Sequence, residues 1–215
     1  SLSAAVEHAL ASGNVDVAAA LVAAASLPTF YAGHPATLER WLAQFDDRGA
    51  HGDGCGDPSV GECDAAPCAD PMVSLETLGP GARDPQEKRL VDAIESVSPG
   101  GYTPTYPALR GAVDALIAAQ RGDPDDLYAV VLATDGEPTK CEQSTLEIAK
   151  VALDGYAAHG IRTYTIGMDG ADLDALDTIA HAGGTRGAFV VTDDASVDRD
   201  LLDALFSISR ELVRC

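Results

Sequence analysis

From residue 72 onward the chain switches repeatedly between two hydrophobic periods. Residues 127–133 (LYAVVLA) form an unbroken apolar run that ends at Thr134-Asp135-Gly136. A short continuous run suits a strand of a parallel sheet, where helices cover both faces and no position meets water. Residues 161–168 (IRTYTIGM) and 188–192 (AFVVT) read as further strands, and residues 72–78 (MVSLETL) alternate as a half-exposed strand does. Helical stretches lie between them. One runs from Asp84-Pro85 to residue 97, with proline in its first turn. Others cover residues 107–120, 142–159 (stopped by Gly160), 172–182 and 197–214. Alternation of strand and helix at these intervals predicts an α/β fold, a doubly wound and mostly parallel sheet with helices on both faces.

The first 70 residues are less regular. Residues 3–12 have helical composition and stop at Gly13-Asn14. Residues 15–25 (VDVAAALVAAA) suit an Ala-rich helix or a buried strand equally, because periodicity does not separate the two in so short a run. Residues 37–45 place Leu38, Trp41, Leu42 and Phe45 on one helical face. The Gly-, Asp- and Pro-rich stretch 46–70 is loop-like, and its acids do not fall into the Asp-x-Asp-x-Asp-Gly spacing of a calcium loop. It is expected to be an ordered insertion held by disulfides.

Composition narrows the class. The 215 residues suffice for one domain with a sizeable core, built largely from aliphatic residues because aromatics make up only 5%. Fourteen Lys and Arg against 34 Asp and Glu give a net charge of −20. That opposes a nucleic-acid partner, since neutralising phosphates takes concentrated positive charge. No apolar run approaches the ~20 residues of a membrane helix. Cys55, Cys63 and Cys68 cluster in the loop-like stretch while Cys141 and Cys215 stand apart. The cluster holds no Cys-x-x-Cys pair, so disulfides and an exported, oxidising location are expected over zinc. Their pairing stays open.

Two stretches carry candidate chemistry. Asp135 ends a strand, and ligands of open α/β sheets bind beyond the carboxyl ends of strands; alone, Asp-Gly is as readily a turn. Residues 100–105 (GGYTPT) enter a helix, where hydroxyls more often cap than bind. His159, His181, Asp172, Asp174, Asp177 and Asp193-Asp194 read as cap or surface residues, and Glu137, beside Asp135, as a residue that either tunes the site or faces water.

Taken together, GGYTPTYPAL, VVLATDGEPT and the later AHAGGTRGAFVV resemble the von Willebrand factor type A domain, especially its bacterial members. The resemblance runs from about residue 72 to the C-terminus. It implies a doubly wound sheet with one antiparallel edge strand and a metal-ion-dependent adhesion site on its upper face. In the family that site takes an Asp-x-Ser-x-Ser motif after the first strand, a Thr from the second loop and an Asp after the fourth strand. Carried over, the Asp is Asp135, the Thr is Thr103 (with Thr105 the alternative), and Ser1 and Ser3 match the two serines in spacing. The implied ion is Mg2+, or Mn2+ or Ca2+, its shell completed by an exposed acidic residue of a partner protein. The chain departs from the pattern in having no Asp before Ser1. The family's first strand and its acid are therefore expected upstream of Ser1, with residues 15–25 as the second strand and 29–70 an insertion near the metal face of a single domain, 1–215. The expected function is non-catalytic adhesion. The rivals are a Mg2+-dependent hydrolase or phosphoryl-transfer enzyme, for which no P-loop or Gly-x-Ser-x-Gly is present, and a structural domain whose metal site has decayed.

Overall fold

The computed structural model describes residues 17–23, 63–76, 85–96, 102–168, 170–191 and 197–212. Four strands, β1 (Val17–Ala23), β2 (Leu127–Thr134), β3 (Arg162–Gly167) and β4 (Phe189–Val190), form one sheet in the order β1-β2-β3-β4. Five helices are described: α1 (Pro85–Ser96), α2 (Thr105–Gln120), α3 (Thr145–His159), α4 (Leu173–Ala182) and α5 (Val197–Leu212). Each crossover from β2 to β4 runs through a helix, which gives the expected α/β alternation. Every described strand pair is parallel. The antiparallel edge strand has no counterpart among the described residues.

β2 is buried along its length apart from Leu127. Its Tyr128, Val130 and Leu132 enter one core with Leu109, Val113 and Leu116 of α2, Ile148 and Val151 of α3, and Leu176 and Ile179 of α4. The alternate residues Ala129, Val131 and Ala133 are buried as well, so both faces of the strand are covered. An unbroken apolar sequence is what that environment selects.

The ambiguous run 15–25 resolves as strand. Val17 pairs with Leu127 and the register continues to Ala23 opposite Ala133. A ladder partner, which sequence periodicity does not reveal, decides the matter. No other strand lies between β1 and β2 among the described residues, so β1 stands directly beside the strand that ends at Asp135.

Several boundaries shift for local reasons. α2 starts at Thr105, two residues before Pro107. Proline sits comfortably in a first turn, where backbone N–H groups have no intrahelical acceptor. α3 starts at Thr145 and not at 142, because Ser144 caps it by accepting from Glu147 N. Gly160, at φ 71°, ends that helix in the left-handed region as its position suggests. The strand expected over 72–78 does not form at 72–76. There, Ser74 O accepts from Gln86 Nε2 at 2.7 Å, so a side chain of α1 takes a carbonyl that a ladder would use, and the Glu76 carboxylate pairs with Arg89. Residues 77 and 78, and the expected helices over 3–12 and 37–45, lie outside the described residues.

Candidate metal centre at the carboxyl edge of the sheet

Parallel strands bring their carboxyl ends to one edge, and the chain turns there three times. β2 runs into Thr134, whose hydroxyl donates to Gly136 O at 3.1 Å and accepts from Gly136 N at 3.3 Å. This folds the chain tightly around Asp135, which is 9% exposed. β3 leaves beside it: Met168 N donates to Thr134 O at 2.9 Å. Gly170 then passes so close that a Cβ there would lie 2.6 Å from Asp135 O, and its φ of 98° is one that residues with side chains rarely adopt. The Asp-Gly pair is a turn after all, but one that buries its carboxylate at the edge of the sheet.

The second element is the loop entering α2. Thr103 is fully buried and Thr105 is 3% exposed. α2 takes Pro104 as its N-cap, with no side-chain hydrogen bond closing the cap. The capping role that hydroxyls commonly take at such a position is therefore not how this helix starts.

A residue that sequence reasoning passed over joins the two loops. Thr139, four positions after Asp135, accepts from Thr103 N through Oγ1 at 2.7 Å and donates its own N–H to Thr103 O at 3.1 Å. Nearby, Lys140 Nζ lies 4.5 Å from the centre of the exposed Tyr102 ring, a cation–π contact across the same two loops. One residue further, Cys141 forms a disulfide with Cys63 across a 78-residue separation. The sequence signal was slight: a Thr and a Cys soon after the strand-end Asp.

Asp135 and Thr103 thus belong to two loops fastened to each other, while Ser1 and Ser3 lie outside the described residues. The described donors are a carboxylate and a buried hydroxyl, hard oxygens that suit Mg2+, Mn2+ or Ca2+ better than a thiophilic metal. Among the described residues no three His, Cys, Asp or Glu side chains gather as a metal cluster. The shell of an ion here would be filled out by hydroxyls, water and other oxygens.

The remaining polar residues have structural roles. Asp172 caps α4 by accepting from Ala175 N at 3.0 Å, and Asp177 Oδ1 accepts from Ala188 N at 2.6 Å. His181 Nδ1 lies 2.7 Å from Asp177 O, and His159 O accepts from Gln120 Nε2 at 3.0 Å. Both histidines are exposed in last turns of helices, where a partial positive charge is favoured. Glu137 is exposed.

No curated protein matches the chain. The family model of the von Willebrand factor type A domain matches residues 80–204, a span that includes the Thr103 loop, the Asp135 strand end and the helix crossovers from β2 to β4, and the chain belongs to that family.

Proposed function

We propose that this chain is a metal-dependent, non-catalytic protein-binding module, in which Asp135 and Thr103 help to hold a Mg2+-type ion and a partner's carboxylate completes its shell. Type A domains are in general interaction modules. The observation that carries the reading here is the fastening of the Thr103 loop to the Asp135 turn through Thr139. It joins the loop that carries a buried hydroxyl to the loop that carries a buried carboxylate, at the carboxyl edge of a parallel sheet, where such folds bind ligands. A bound ion would supply an electropositive point with an open coordination position. The residues here would orient it and keep water from one side, and the fixed loops reduce what must be ordered on binding.

The register of β1 bears on the remaining ligands. β1 runs parallel to β2, so Ala23 ends at the edge that carries Asp135. The residues that follow in sequence, Ala24-Ala25-Ser26, hold no carboxylate. On this reading Asp135 is the acid that the described residues supply to the site. Motif spacing proposes Ser1 and Ser3 as further hydroxyl donors. The disulfide suits an exported protein, and no helix among the described residues is long and apolar enough to cross a membrane.

The decisive measurement is calorimetric titration with Mn2+ and Mg2+. The wild type should bind one ion, and Asp135→Ala should lose that binding while keeping its fold by circular dichroism. A Ser1→Ala, Ser3→Ala double variant tests whether those two hydroxyls contribute. A wild type that takes up no divalent ion, or an Asp135→Ala variant that binds as well as wild type, sinks the proposal. Turnover of phosphoesters by the loaded protein would replace it with the enzyme reading.

A further inference from the structure

We infer that the Cys63–Cys141 disulfide is a redox-sensitive clamp on this site: reducing it frees the loop that fastens Thr103 to the Asp135 turn, and weakens divalent-ion binding there. The functional half of this inference rests on the metal reading above; the mechanical half stands on geometry alone.

At one end of the bond, Cys63 opens a segment that is seated on α2. The 3-10 turn Pro67–Ala69 follows it, and Cys68 in that turn is 1% exposed. The turn lies so near α2 that a Cβ on Gly111 would come within 2.4 Å of the Cys68 backbone. α2 in turn begins two residues after Thr103. At the other end, Cys141 closes the loop that starts at Asp135, and Thr139 lies two residues before it. The bond therefore ties the support of Thr103 to the far end of the Asp135 loop, and the Thr103–Thr139 pair sits inside that tie. Cys141 has a φ of 64°, in the left-handed region that a residue with a side chain holds only when its surroundings impose it. With the cross-link cut, one of those surroundings is gone.

Accessibility makes the bond selective. Cys63 is exposed and Cys141 half-buried, whereas Cys68, which is also disulfide-bonded, is buried. A small dithiol has direct access to Cys63. Its thiolate attacks one sulfur of the Cys63–Cys141 bond to give a mixed disulfide, and its second thiol then displaces the remaining protein sulfur. Two electrons pass to the protein, Cys63 and Cys141 leave as thiols, and the reductant leaves as its cyclic disulfide.

The test compares oxidised wild type, dithiol-treated wild type and a Cys63→Ser, Cys141→Ser double variant. Amide hydrogen exchange is read residue by residue, and Mn2+ affinity is measured by calorimetry. Exchange of the Thr103 and Thr139 amides should rise at least tenfold in the second and third samples, while Val130, Val131 and Leu132 of β2 keep their protection. Mn2+ affinity should fall at least tenfold. Unchanged exchange at Thr103 and Thr139 overturns the clamp whatever the metal does. Faster exchange with unchanged Mn2+ affinity overturns its link to the site. Loss of β2 protection in both samples overturns a local device in favour of a global staple. An oxidised wild type that binds no Mn2+ overturns the metal reading and the functional half with it, leaving the exchange data to judge the mechanical half.

Discussion

Thr139 links the candidate site through two different groups, a hydroxyl that accepts from Thr103 N and an N–H that donates to Thr103 O. Thr139→Val keeps the shape and the backbone donor but removes the acceptor. A net protein hydrogen bond is worth about 1 kcal/mol, so chemical denaturation should show a loss of that order, accompanied by weaker Mn2+ binding. Tyr128 offers a separate check by pH. Burial, and then Asp126 and Asp123, push its phenol above the ordinary range near 10. The protonated form is thus favoured in the folded state, and stability falls as pH rises through the folded value. Tyr128→Phe should cost about 1 kcal/mol at neutral pH, through the lost bond to Asp123 O, yet unfold at higher pH than wild type in alkaline titration. Asp135 and Thr103 could be picked out in the sequence because each is a chemically distinctive residue at a punctuated end of an element. Thr139 could not, since its importance comes from a partner 36 positions away. The link belongs to tertiary structure, and local pattern holds no trace of it.

Between elements the contacts are tight, which sets the cost of small changes. Gly111 on α2 faces the Cys68 turn with no room for a methyl group. Gly111→Ala should lower stability by ~1–3 kcal/mol, the usual penalty of overpacking, seen as an earlier urea midpoint with an unchanged slope. Ser144→Ala should cost about 1 kcal/mol through the lost cap of α3, and leave the site untouched. Sequence patterning found β2, β3 and the helices because each combines a clear period with a clear stop, such as Gly160 after α3 or Asp172 before α4. It left β1 open because an Ala- and Val-rich run carries no polar positions from which to read a period. It misjudged residues 72–76 because alternation there reflects an extended segment with one half-buried side, Leu75 packing on the core, and no ladder partner is needed for that.

Across the whole molecule, a net charge of −20 makes the folded state repel itself. Raising monovalent salt from ~10 mM to ~150 mM shortens the Debye length from ~30 Å to ~8 Å, so the melting temperature should rise with salt in wild type and in Asp135→Ala alike. A further rise on adding Mg2+ at constant ionic strength should appear in wild type only, which separates general screening from occupation of a site. Membership in the type A family could be read from motifs spread over most of the chain, whereas the tie between Cys63 and Cys141 could not, because five cysteines admit many pairings. The order of strands has one more consequence. Among the described residues β1 joins the sheet by pairing with β2, across more than a hundred residues of intervening chain. During synthesis on the ribosome the first strand emerges long before its neighbour exists. The pairing with β2 must wait, and a contact of such long sequence separation is slow to close once its partner arrives. Folding should therefore be limited by the docking of β1, and a holdase that shields its Ala/Val-rich edge in the meantime should raise the yield of native protein.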